Sequence, residues 1–250
     1  MLTEERLTKI VKIVNQEGTV TVPDLAQAIG ISESTIRRDL NLLDKQGRIR
    51  KVHGGATAVV LMTDGYERDM QEKYSRNIEE KRAIAAYSAT LVHANDFVFL
   101  DAGSTTEQMA EYLEESSAFY VTNGITLAQK LAARGFKTML IAGRVKASTD
   151  AVIGMEAVAS LARYHFTKGF FGTNGITVNE GFTTPDMEEA ANKRAAMEHC
   201  SQCYVLADRS KFDTLSHISF GELSKATVIT GSNSSARLKN YKQHTEVIEV

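Results

Sequence analysis

The chain has 250 residues, 43% of them hydrophobic, with a formal net charge of only −2 and two cysteines. That length supports a well-buried core in one large domain or in a small and a larger one. The near-neutral charge excludes a wholly basic nucleic-acid coat, two cysteines exclude a disulfide scaffold, and no run approaches the roughly 18 apolar residues of a membrane span.

Charge is distributed unevenly. Residues 1–58 hold nine Lys/Arg against seven Asp/Glu, while the remainder holds 20 against 24, so a locally basic module precedes an acidic one. The N-terminal MLTEERLTKI is charged and amphipathic, unlike a secretory leader, and implies a cytoplasmic protein.

In chain order, Leu7, Ile10, Val11 and Val14 recur at helical spacing and predict a first helix over 4–16, ended by Gly18. Pro23 opens a short second helix with Leu25, Ala26 and Ile29 on its apolar side, closed by Gly30. Ser32 is a suitable N-cap for a third helix over 33–46, which Gly47 terminates. Its inward stripe is Ile36, Leu40 and Leu43. Ser34, Arg37, Arg38, Asn41 and Lys45 fall on the opposite face, with Thr35 beside them. Asp39 borders the stripe, where it suits orienting an arginine better than meeting DNA. RIRKVHGGA then reads as a basic β-hairpin turning at Gly54-Gly55.

Three helices and a basic hairpin make a winged helix-turn-helix. Arg, Asn and Ser on the free helix face suit base edges, and Arg48, Arg50, Lys51 and His53 suit phosphates. An ordinary three-helix module with a solvated charged face is the alternative. Residues 58–78 lack a period and read as a linker to a domain over 79–250.

A helix is expected near 79–93. Apolar strand-like runs follow at 97–100, 119–121, 139–142, 169–171, 204–207 and 227–230. They alternate with helical stretches near 105–114, 125–134, 154–164 and 186–200, which is the pattern of an α/β fold with a largely parallel sheet. DAGSTT places Gly103, Ser104 and Thr105 between a strand and a helix N-terminus, which is either an anion site or a capping turn. Thr122 and Asn123 end the next strand and could bind a polyol or cap a helix. Gly172 and Gly175 suggest backbone crowding around a ligand, or a turn. Glu189 and Lys193, four apart, read by spacing as a solvated helix ion pair. Asp208 and Lys211 follow another strand, where ligands of open α/β sheets gather. The Cys200–Cys203 pair ends a helix and has no second pair, which disfavours a metal or redox role. No cofactor is implied.

SESTIRRDLNLLDKQGRIRKVHGGA, residues 32–56, resembles the DNA-binding signature of the DeoR family of bacterial repressors. The motifs DAGSTT, VTNG, GTNGI, the Glu189–Lys193 helix and ADRSKF resemble that family's effector domain, so the likeness spans nearly the whole chain. It implies an effector domain similar to ribose-5-phosphate isomerase and the CoA transferases, and a homo-oligomer, dimer or tetramer, on double-stranded operator DNA. It further implies a phosphorylated sugar as effector, held at the phosphate by Ser104, Thr105 and Thr106 and at the sugar by Asp101, Asn123, Glu189 and Lys193. EGFTTPDMEEA resembles the fructose-operon repressors of Gram-positive bacteria, favouring fructose 1-phosphate over tagatose 6-phosphate. The competing reading is a sugar-phosphate isomerase with an attached DNA-binding domain, using Asp101, Glu189 and Lys193 as acid and base.

Overall fold

A computed structural model describes residues 3–59, 61–62, 70–232 and 235–250, in two compact units. The first comprises residues 1–61 together with 233–241, and the second residues 62–232 together with 242–250.

The first unit is a winged helix-turn-helix. Its helices are α1 (Thr3–Glu17), α2 (Val22–Ile29) and α3 (Glu33–Lys45). The Thr21 side chain caps α2, placing Pro23 in the first turn, and Gly30 closes it at φ 77°, a left-handed conformation that glycine adopts without strain. Ser32 caps α3 through the Thr35 amide at 3.4 Å. Leu7, Ile10, Val14, Leu25, Ile36, Leu40 and Leu43 converge in one core. Full burial of each such side chain contributes about 1.5–3 kcal/mol. The hairpin pairs β2 (Arg50–Val52) with β3 (Gly55–Thr57). A strand unforeseen from sequence, β1 (Thr19–Thr21), adds to β3 with Val20 opposite Ala56. The Val22 amide also donates to the Gly54 carbonyl at 2.8 Å, tying the wing turn to the start of α2.

The second unit centres on a seven-stranded sheet, parallel throughout. Its order is Val247–Glu249, Thr227–Thr230, Cys200–Leu206, Phe166–Gly172, Phe97–Leu100, Phe119–Thr122, Lys137–Leu140. The expected strand at 139–142 therefore lies two residues earlier, at the sheet edge, and the expected helix at 154–164 is confined to Met155–Leu161. The central strands are buried on both faces, as covered parallel sheets require. Val98, Leu100, Tyr120, Phe170, Leu206 and Ile229 pack against Ile84, Met109 and Leu127 of the flanking helices.

From Phe97–Leu100 the chain winds outward through two strands, then returns to the other side of Phe97–Leu100 and winds away. The crevice beyond the carboxyl ends of Phe97–Leu100 and Phe166–Gly172 is thus the topological switch point, where open α/β sheets bind ligands. A small antiparallel sheet (Gly175–Thr177, Gly181–Thr184, Ile218–Gly221) and the hairpin Arg144–Lys146/Ala151–Ile153 flank it in sequence. The end of the expected linker forms a helix, α4 (Met70–Ser75), followed by α5 (Ile78–Thr90). Asn77 between them is left-handed at φ 52°. Among the described residues, no helix is long and apolar enough to cross a membrane.

Candidate functional site

On the first unit, α3 buries Ile36, Leu40 and Leu43 and leaves Ser34, Arg37, Arg38, Asn41 and Lys45 exposed, with Thr35 half-buried. Arg50, Lys51 and His53 are exposed on the wing and Arg48 is half-buried at its base. Lys51 donates to the Asn41 side chain at 2.7 Å, and its amide donates to Asp44 at 2.8 Å, so helix and wing form one basic surface. Arg37 pairs with Glu33 at 2.8 Å, with both side chains largely exposed. Asp39 is buried and receives Arg6 of α1 at 2.7 and 3.1 Å. It orients an arginine 33 positions away and takes no part in the free face.

On the second unit, a cavity of about 70 Å³ opens at the switch point. Eight of the predicted effector residues line it: Gly103, Ser104, Thr105, Gly172, Glu189, Lys193, Asp208 and Lys211. Gly103 and Gly172 are neighbours, and a Cβ on Gly103 would lie in ordinary contact with the Gly172 Cα at 3.8 Å. Gly103 has no side chain with which to cap the helix α6 (Ser104–Tyr112). The positive end of that helix faces the cavity through Ser104 and Thr105, an arrangement that favours an anion.

The other five predicted residues brace the site. Asp101 sits beneath it, accepting from Lys193 and, at 3.0 Å, from the Gly172 amide. The Thr106 hydroxyl turns back to the Asp101 and Gly103 carbonyls at 2.6 and 2.8 Å. Thr122 accepts from the Gly124 amide at 2.9 Å, and Asn123 accepts from the Ala102 amide at 2.8 Å. Gly175 belongs to the small sheet, where a Cβ would lie 2.2 Å from the Thr214 carbonyl oxygen.

The reading of Glu189 and Lys193 as a solvated pair is corrected: both are buried. Lys193 engages Asp101 and donates to the Gly172 carbonyl at 3.0 Å. Glu189 accepts from Lys146 at 3.0 Å and Thr149 at 2.6 Å. The helix Met187–Glu198 packs inward here because the switch point brings Asp101, 92 positions away, beneath it. Burial works to raise the Glu189 carboxyl, but Lys193, Thr149 and Lys146 outweigh it and hold it below the usual range. At Asp101 burial wins and pushes the carboxyl up against the pull of Lys193. Asp208 is drawn down, since Lys211, Ser210 and Lys81 overcome its burial.

Sequence reasoning missed Lys73, Arg76, Asn77 and Lys81, which also line the cavity. Lys81 is buried and donates to the Ser104 hydroxyl at 3.0 Å and to the Lys73 carbonyl. Burial lowers it to about 8 despite Asp208 nearby. With Lys193 and Lys211 these make five cationic linings against the two carboxylates Glu189 and Asp208, so the cavity as a whole attracts an anion. The clue was the EEKR run opening α5, which has no partner within its own helix face for Lys81.

A DeoR-like helix-turn-helix domain matches residues 6–60, and a DeoR C terminal sensor domain matches residues 76–232. The Bacillus subtilis protein described as an uncharacterized HTH-type transcriptional regulator FruR is 38% identical over 99% of this chain and 98% of its own length. A lactose phosphotransferase system repressor of Streptococcus mutans is 34% identical, over 99% of this chain and 100% of its own. A solved ribose 5-phosphate isomerase from Methanocaldococcus jannaschii aligns at 14% identity with a TM-score of 0.40, over 54% of this chain and 55% of its own. With both halves matched in order and the full-length relatives in register, the chain belongs to the DeoR family.

Proposed function

We propose that this chain is a DNA-binding transcriptional repressor of a sugar-utilisation operon, released from its operator by a phosphorylated sugar. The observation that carries the reading is the cationic cavity at the switch point, floored by the open N-terminus of α6, on a chain that also bears an exposed basic helix and wing. Ser104 and Thr105 receive the phosphate, while Asp208, Lys211 and Glu189 face the sugar hydroxyls. Asp101, Thr106 and Asn123 hold the loops that do so. Fructose 1-phosphate is the first choice of effector and tagatose 6-phosphate the second. The two relatives, a FruR regulator and a lactose phosphotransferase system repressor, support sugars of this class.

Ser34, Arg37, Arg38, Asn41 and Lys45 enter the major groove, with the wing cations on flanking phosphates. A single small module gives little specific affinity, so the protein works as a dimer or tetramer on paired half-sites, in the cytoplasm. The site favours sensing over catalysis. Lys193 is engaged by Asp101, and Glu189 by Lys146 and Thr149, which leaves neither poised to move a substrate proton.

The test is a thermal-shift screen of phosphorylated sugars on the full chain, followed by operator release with each hit. A ligand at one hundred times its Kd adds about 2.7 kcal/mol of stability. Sugars returned unchanged after incubation support a sensor. If no phosphorylated sugar raises the midpoint, or if the hit leaves operator affinity untouched, the reading fails.

A further inference from the structure

The site described above has one wall formed by the loops at the strand ends. Another wall is the segment Lys73–Lys81, made of the end of α4, the left-handed Asn77 and the first turn of α5, which packs beside α6. Four ties hold this segment across the cavity mouth. Tyr74 donates to Glu107, which lies in the first turn of α6. Lys81 donates to Ser104 at 3.0 Å. The Asn77 side-chain amide donates to Asp208 at 2.7 Å. Glu80 accepts from the Arg209 amide at 2.8 Å.

Two of these ties, at Ser104 and Asp208, use groups that a ligand phosphate and a ligand hydroxyl would need. The cavity of about 70 Å³, open on one side, suits a phosphate group. Cavities that enclose whole small molecules are several-fold larger, about 300–1,000 Å³. A sugar phosphate that takes Ser104 and Asp208 displaces the ties from Lys81 and Asn77, and the cations of the segment then meet the anion.

Resting on the sugar-phosphate reading, we propose that Lys73–Lys81 is a cationic clamp: Arg76 and Lys81 complete the phosphate site beside the N-terminus of α6, and the Asn77–Asp208 hydrogen bond is a latch that the entering ligand replaces. The clamp begins a few residues after the stretch that leaves the wing, so occupancy of the cavity fixes the chain at the point where the sensor meets its connection to the DNA reader. Coupling between the sites follows from this segment having a latched and a ligand-held arrangement.

The experiment measures binding of fructose 1-phosphate, with inorganic phosphate as a second probe, by calorimetry on the full chain. The variants are Lys73→Ala/Arg76→Ala, Lys81→Arg, Asn77→Gly and, as a control, the exposed Arg163→Ala. The double variant should lose about 10- to 100-fold in affinity for both probes, as expected for removing charge-assisted hydrogen bonds. Lys81→Arg should retain binding, and Arg163→Ala should match the parent. Asn77→Gly keeps the left-handed backbone and removes the latch, so it should bind about 3- to 10-fold tighter; a merely structural residue would weaken binding when lost. Should the double variant bind within twofold of the parent while Thr105→Ala loses binding, the clamp is refuted and the sensor reading stands. Asn77→Gly binding more weakly refutes the latch. Absence of binding by the parent retires both proposals.

Discussion

Replacing Lys193 with Met tests whether the buried Asp101–Lys193 pair holds the sensor site together. The Lys193 side chain is 6% exposed and that of Asp101 3%, so solvent screens neither. Among the described residues, removing the ammonium leaves the carboxylate with only the Gly172 amide at 3.0 Å, and it also removes the donor to the Gly172 carbonyl and the cation stacked 5.5 Å from the Phe220 ring. Breaking one side of such a buried pair costs about 3–5 kcal/mol, a large part of a total stability of about 5–15 kcal/mol. A matched change removes both charges: Asp101→Asn with Lys193→Met should recover to within about 2 kcal/mol of the parent, because the uncompensated charge is then gone. Urea unfolding followed by far-ultraviolet circular dichroism gives the overall loss. Hydrogen exchange of the Phe97–Leu100 amides localises it, since that strand leads directly into Asp101. A single variant within 1 kcal/mol of the parent, or a double variant no better than the single one, would refute the claim that charge pairing holds the floor of the cavity.

Three further outcomes are expected. Arg38→Ala, on the exposed face of α3, should lower operator affinity about tenfold while leaving stabilisation by sugar phosphate unchanged, and Thr105→Ala should do the reverse, as read by fluorescence anisotropy and thermal shift. Gly55→Ala places a Cβ 2.2 Å from the Val20 carbonyl oxygen, so it should destabilise the wing by about 1–3 kcal/mol and weaken DNA binding with it. Lys81 titrates near 8 in the fold, below its ordinary value of 10.5, because burial disfavours its charge. The unfolded chain therefore binds more protons between those values, and sensor stability should rise with pH across that window while affinity for a phosphorylated ligand falls. A flat calorimetric pH profile between 8 and 10.5 would contradict that assignment.

The first unit was largely legible because its signals are local. Pro23, Gly30 and Ser32 punctuate the helices, and a three-residue apolar stripe orients α3. β1 escaped notice because Thr-Val-Thr is too short for a period and acquires meaning only against Ala56. In the second unit the strand ends were visible as small polar loops after apolar runs. What those loops do was less so: Ser104 and Thr105 reach the cavity, whereas Thr122 and Asn123 hold neighbouring backbone. Glu189 and Lys193 misled because four-residue spacing is silent about burial, which the parallel topology decides. Lys73–Lys81 carries no stripe at all, and its contacts reach from Ser104, 23 positions beyond Lys81, to Asp208, 131 positions beyond Asn77.

The bond from Val22 to Gly54, the pairing of β1 with β3 and the Lys51 bonds to Asn41 and Asp44 brace the wing against both α2 and the reading helix as one piece. Such a piece cannot be switched by bending one finger away from the groove. On the proposed reading of a repressor on paired half-sites, operator escape comes from misaligning whole readers against the half-site spacing, and lengthening an operator by half a helical turn should mimic the inducer.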